Sequence, residues 1–418
     1  MLAINKAEQE GNDMNFIFIS PNFPPRYFKW VESLKARGVN VLVIADSPHY
    51  DLNPRLLSAC TEYYFVADMN DFESMCKAVE YYQKKYGKID YIESMNEWWL
   101  RSDARLRERF GVDGLLPKDM DRITSKSGMK EYFQKGGAKT IRYLLVSGPE
   151  DKEKAKAFVK EVGYPVFVKP DVGVGAADSY ALHNEAEFDH FFTLKLPEQY
   201  IMEEYVDGQI VSFDGICDNE GNVVFCSTDH FPTPIAIVVN EKTDYYYFNN
   251  PFALEMKDLD GKEFEKVGRQ VVKAFGIRKR FFHIEFFVLK GDKPGLGKKG
   301  DFVALECNMR APGGDTPDLI DYANSVSVYE IYADVICYNE NRQDLSGTKY
   351  YAFASHRRDA LKYAHTEEEI LSRYAGKLAM HGRYPKHIAV AMGDLFYFAK
   401  FATYEEGMEF DAFVRQRA

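Results

Sequence analysis

Between Asn15 and Phe110 short apolar runs alternate with longer amphipathic stretches, and that alternation leaves few folds open. Asn15–Ser20, Val39–Asp46, Tyr63–Val66 and Ile89–Ser94 have the composition of buried strands. Pro24–Arg37, Asp71–Tyr86 and the stretch from Ser94 to Phe110 read as helices, with Gly38 and Gly87 placed to end the first two. Strand–helix alternation predicts a parallel sheet covered on both faces. The first turn, Ser20-Pro21-Asn22-Phe23-Pro24-Pro25, holds no GxGxxG, so the segment is Rossmann-like without a dinucleotide fingerprint.

A chain of 418 residues is long for one unit. We divide it at 14–118, 119–200, 201–345 and 346–418, an α/β segment followed by α+β units. Ser125 is placed to cap a helix over Lys126–Lys135 that Gly136-Gly137 would end. The segment from about 140 to 200 reads strand, helix, strand, glycine loop, strand, helix. Residues 201–345 are strand-rich, with a helix at Lys262–Phe275 and another from near Ser327. The tail carries strand patterns at Lys349–Ser355 and His387–Thr403 and helical ones at Thr366–Ala375 and Glu405–Arg415.

Charge narrows the function classes. The net charge of −11 argues against nonspecific binding to nucleic acid or anionic membrane. The six cysteines lack CxxC pairs and framework spacing, as expected of reduced thiols in a cytoplasmic protein. No apolar run is long enough to span a bilayer, and the polar Met1–Asp13 lacks the apolar core of a signal peptide. Met14 is where the first strand begins.

Three separated motifs carry chemistry. Pro165–Pro170 is a strand that delivers Lys169 at its end, and the loop after it contains Gly173 and Gly175. Glycine backbone can approach an anion closely, and the lysine adds a point charge. Alone, this fits an ordinary strand end equally well. Glu203-Glu204-Tyr205-Val206 ends a second strand that could present backbone groups to a purine edge; alone, a solvated glutamate pair is the simpler account. The third motif is the strand pair Phe281–Leu289 and Phe302–Arg310. Strand alternation puts Glu306, Asn308 and Arg310 on one face and His283 with Glu285 on one face of the partner. Two carboxylates and an amide oxygen suit Mg²⁺. A buried Glu306–Arg310 ion pair is the competing account, but several acids on an apolar sheet are costly without a neutralising cation. Arg310 could hold a carboxylate or a developing charge by bidentate contact, and Gly313-Gly314 could bring backbone close to a substrate or merely form a tight turn.

In order and spacing these motifs resemble the ATP-grasp superfamily, and within it the carboxylate–amine (L-amino acid) ligases, over roughly residues 15–345. The resemblance implies an ATP-grasp fold behind the Rossmann-like segment. It implies Lys126 and Lys169 on phosphates, Gly173 and Gly175 in a lid loop, and Glu203, Glu204 and Val206 at the adenine hinge. It implies Glu285, Glu306 and Asn308 as magnesium ligands and Arg310 beside the transferred phosphoryl group, with Lys169 and Arg310 as catalytic. Ile210 stands where the family often has a ribose-binding acid, and Asp214 is the available substitute. ATP and Mg²⁺, or Mn²⁺ in its place, are the implied cofactors. The implied reaction activates a carboxylate as an acyl phosphate and joins it to an amine. An ATP-grasp kinase and a nucleotide-binding regulatory protein are the alternatives. Similar ligases are commonly homodimers. His230, in Thr228-Asp229-His230-Phe231, is a candidate acceptor-pocket residue together with Arg310, Gly313 and Gly314, although a structural histidine fits as well. His283 is placed for a supporting role on the metal face. Glu97 lies where a ligand approaches an open parallel sheet. Ser355–Arg358 reads as a solvated basic turn or an anion site, and Trp98-Trp99 as core.

Overall fold

The computed structural model describes residues 14–173 and 179–418. The expected parallel sheet is present, with strands Glu62–Phe65, Asn40–Ala45, Asn15–Ile19 and Tyr91–Glu93 side by side in that order. Alternation sorts its residues onto two cores. Phe16, Phe18, Val41 and Val43 pack with the helices Phe28–Ala36 and Pro54–Ala59. Ile17, Ile19, Leu42 and Ile44 pack with Phe72–Tyr86 and Leu100–Phe110. The first of these cores also takes in Ile331, Tyr332 and Val335 of the helix Val328–Tyr338. Trp30, fully buried, stacks edge-on against Tyr332 and Phe281, so the amino-terminal unit is bonded to the rest by apolar contact.

The next unit is a four-stranded antiparallel sheet, ordered Tyr143–Val146, Tyr200–Glu204, Val166–Pro170 and Tyr180–Leu182. The expected helix Lys126–Lys135 precedes it, with the Gly128 N–H donating to Ser125 Oγ.

A nine-stranded sheet makes up most of the remainder. Its centre is the run Val223–Phe231, Gly208–Cys217, Arg280–Leu289 and Phe302–Asn308, all antiparallel. The tail does not form a separate layer. Tyr246–Asn250 pairs with Tyr351–Arg357, which pairs with Leu395–Phe401 and through it with Leu378–Arg383. Sheet pairing therefore runs across the expected boundary near 345. The His387–Thr403 strand pattern needs correcting. Its first part is the helix Lys386–Met392, because Pro385 opens a new element and Gly393, at φ 90°, closes it before Leu395. The helices Ile235–Glu241 and Thr316–Asn324 were also not anticipated. Among the described residues no helix is long and apolar enough to cross a membrane.

Candidate active site

Four elements deliver charged side chains to one place. Lys126 opens the helix Lys126–Lys135 and Lys169 sits near the end of Val166–Pro170. Asp171 ties these ends together: its backbone carbonyl accepts from Lys126 N–H, and its carboxylate accepts from Ser127 N–H at 2.7 Å and Ser125 Oγ at 2.7 Å. Lys126 Nζ donates to the Gly173 carbonyl at 3.1 Å and stands 3.9 Å from Glu306. Lys169 Nζ is 2.8 Å from Glu203. Lys130, which the sequence reading missed, holds the other oxygen of Glu203 at 2.5 Å. Burial would push the Glu203 carboxyl up, but the two ammonium groups more than offset it and hold it down at about 2. Burial likewise disfavours charge on Lys169, and Glu203, Glu306 and Glu285 outweigh it, so this amine stays protonated above its ordinary range.

On the central sheet Glu285 and Glu306 lie directly opposite each other, and His283 opposes Asn308. Like charges facing across strands repel. Burial and the neighbouring Glu97 and Glu285 push Glu306 up, with Lys126 opposing them. Glu285 is pushed up by burial and pulled further down by His283, Arg310 and Lys169. His283 is the hub: Nε2 lies 3.0 Å from Glu285 and Nδ1 lies 2.6 Å from Asp214. Burial works against its charge, and the two carboxylates raise it to about 10. Among the described residues no group of three or more His, Cys, Asp or Glu is placed to hold a metal ion by itself. Two facing carboxylates and the Asn308 amide instead make an open, oxygen-only donor set. That chemistry fits Mg²⁺, which keeps waters and phosphate oxygens in its shell.

Arg310 is half-buried beside this face. Its Nη2 donates to Glu97 at 2.7 Å, and Glu97 follows the strand Tyr91–Glu93 at the carboxyl end of the parallel sheet. Next to the pair a cavity of about 700 Å³ is walled by Phe23–Phe28, by Gly313, Gly314 and Asp315, and by the tail helix with Tyr384 and Phe396. Asp315 accepts from Tyr384 OH at 2.8 Å and pairs with Arg26 at 3.3 Å. The tail, where sequence offered only Ser355–Arg358 as an anion site, thus supplies one wall of the cavity through other residues.

Other expected residues lie elsewhere. His230 is on the opposite face of the sheet from Glu285. It stacks on Phe248 at 4.6 Å, and burial pushes its imidazole down to about 3. It does not join the site, because its register partner Val211 faces the helical core. Glu204 points away from Glu203 and pairs with Arg142 at 2.6 Å, while its N–H donates to the Arg142 carbonyl. Val206 is buried with Ile141 and Leu289. Asp214, fully buried and bonded to His283 and Ser212, is not a ribose contact. Ser355–Arg358 is no solvated turn: all four residues are buried in the tail, with Arg358 Nε donating to the Thr243 carbonyl. Trp98 is 63% exposed rather than core. Gly175 lies outside the described residues.

Burial pushes the Cys217, Cys226 and Cys307 thiols up, Cys217 to about 11 and Cys226 to about 12, so these three offer no competing nucleophile.

Comparison with known proteins agrees with this geometry. Residues 162–310 match the family model of the ATP-grasp domain. The L-arginine-specific L-amino acid ligase of Bacillus subtilis is 23% identical over 285 residues, covering 66% of this chain and 64% of that protein. The alanine–anticapsin ligase of Bacillus subtilis (strain 168) is 23% identical over 275 residues, covering 60% and 55%. The matches thus span less than two thirds of these relatives. Among solved structures, an L-amino acid ligase from Bacillus licheniformis superimposes with a TM-score of 0.69 at 15% identity, covering 95% of this chain and 96% of that one. An N5-carboxyaminoimidazole synthetase from Staphylococcus aureus, complexed with ADP, gives 0.67 at 13% identity, with 96% of each chain covered. The chain therefore carries an ATP-grasp domain and folds along its length as an ATP-grasp protein.

Proposed function

We propose that this protein is an ATP-dependent carboxylate–amine ligase acting on small molecules. The reading rests on one convergence: Lys126 stands beside Glu306, Glu306 faces Glu285, both carboxylates act on the Lys169 amine, and Arg310, which also feels Glu306, lines the neighbouring cavity. In this reading Lys126 and Lys169 hold the phosphates of ATP, with Glu203 at the adenine. Glu285, Glu306 and Asn308 hold Mg²⁺. Bound there, the ion supplies charge neutralisation on the phosphate oxygens. Phosphoryl transfer asks mainly for positioning and charge, and this site offers both without a protein nucleophile.

An oxygen of the substrate carboxylate attacks the γ-phosphorus, and the bond from phosphorus to the ADP oxygen breaks. Arg310, swung from Glu97, stabilises the charge on the transferring group. An amine then attacks the acyl carbon, phosphate leaves with the electron pair of the carbon–oxygen bond, and the amine proton passes to solvent. The cavity beside Arg310 holds the amine, with Gly313 and Gly314 at its edge. Among the relatives, two bear the names of amino acid ligases, which supports amino acids as the substrate class.

The test is Mg-ATP turnover against a pooled panel of carboxylates and amino acids, with mass spectrometry of products. An amide that needs both substrates supports the ligase. A phosphorylated product without amide would point to a kinase, and tight ATP binding without turnover would point to a regulatory protein.

A further inference from the structure

A second cavity, about 1120 Å³, lies at the other end of the amino-terminal sheet, where the strands Asn15–Ile19 and Tyr91–Glu93 begin. The candidate active site lies at the carboxyl ends of those strands, so the two are separate. Its walls come from the amino-terminal unit and from the loop before Arg280–Leu289. Seven lysines and arginines line it against four carboxylates, a surplus of three positive charges in a chain of net charge −11. Some of this charge is already used. Arg280 donates to Glu93 at 2.8 Å and to the Met309 carbonyl at 2.9 Å. Arg107 donates to the carbonyls of Ile92 and Leu115, while its buried Nη2 has no hydrogen-bond partner and stands 3.4 Å from Glu93. Lys118 and Arg278, exposed at the wall, form no ion pair with a described residue.

We propose that this cavity is a second ligand site, taking a small molecule with two or more negative charges, such as a phosphate monoester or a polycarboxylate. The chemistry is that of concentrated guanidinium and ammonium groups on concave walls, which focus potential onto an anion. The buried arginines form a fixed floor, and the exposed Lys118 and Arg278 supply free charge at the rim. A ligand there would touch Arg280, which holds the backbone next to Arg310 and the strand that leads to Glu97.

The test uses the full chain saturated with MgADP, which occupies the phosphate lysines, and titrates inorganic phosphate and citrate by calorimetry. It compares the natural protein with Lys118→Glu/Arg278→Glu. Both residues are exposed and outside the proposed active site, and unchanged MgADP affinity certifies the fold. The expected result is saturable binding of one anion per chain, weakened about tenfold or more in the variant and by added salt. Phosphate binding without citrate would assign a phosphate ligand, and the reverse a polycarboxylate. Failure of both anions to bind, or equal binding in the variant, would overturn the proposal. Neither result bears on the ligase reading.

Discussion

Replacing Lys130 with methionine removes one of the two cations that clamp Glu203 and keeps the volume of the side chain. Glu203 falls from 4.5 to about 2 on folding, and at about 1.4 kcal/mol per unit that drop is worth about 3 kcal/mol. Lys130 and Lys169 share it, and Lys130 is the nearer at 2.5 Å against 2.8 Å. Losing it should cost about 2 kcal/mol at neutral pH, below the full price of breaking a buried pair because Lys169 remains. The sign follows from the depressed value. The stabilisation is complete above about pH 4.5, where the unfolded carboxyl is ionised, and fades as pH falls towards 2. At about pH 3 the natural protein keeps about 1.4 of those 3 kcal/mol and Lys130→Met almost none, so the gap should shrink to about 1.3 kcal/mol and nearly close towards pH 2. Urea unfolding followed by circular dichroism at several pH values measures that gap. Equal midpoints at neutral pH, or a gap undiminished in acid, would refute the clamp.

Four shorter predictions follow from the same structure. Glu306→Gln should keep the fold and lose at least about a thousandfold in ADP release, since the carboxylate face loses a donor; near-normal turnover would remove Glu306 from the metal site. Lys169→Ala should weaken nucleotide binding or turnover by about a hundredfold, as calorimetry with MgADP and steady-state rates would show. His230→Leu should leave turnover unchanged. Because burial holds this imidazole near 3, the natural protein loses stability as pH falls below about 6.5, and the variant should lose less in thermal melts over that window. Gly407→Ala places a Cβ 2.0 Å from the Phe353 ring and should destabilise by about 1–3 kcal/mol in urea, because the tail helix packs on the shared sheet.

Local signals made much of this legible. Period-two and helical patterns marked the parallel sheet, and alternation placed Glu285, Glu306 and Asn308 on one face before any coordinates. Lys130 could have been found: it lies one helical turn after Lys126, on the same side of a short helix. The helices Ile235–Glu241 and Lys386–Met392 were hidden by β-branched and apolar residues that read equally as strand, with only Pro234, Pro385 and Gly393 as clues. The Arg310–Glu97 contact and the pairing of Tyr246–Asn250 with the tail join residues far apart in sequence. Nothing in local pattern encodes such contacts. His230 was misplaced for a related reason: which face of a strand meets the helices depends on its neighbours in the sheet, not on its own sequence.

The central claim is that a carboxylate is activated as an acyl phosphate at the face formed by Lys126, Lys169, Glu285, Glu306 and Arg310. The most direct measurement uses a substrate carboxylate labelled with ¹⁸O, turned over with Mg-ATP and an amine, followed by mass analysis of the released phosphate. The account predicts one labelled oxygen in each phosphate, because the acid's own oxygen leaves with the transferred phosphoryl group. Amide formation with unlabelled phosphate would contradict it.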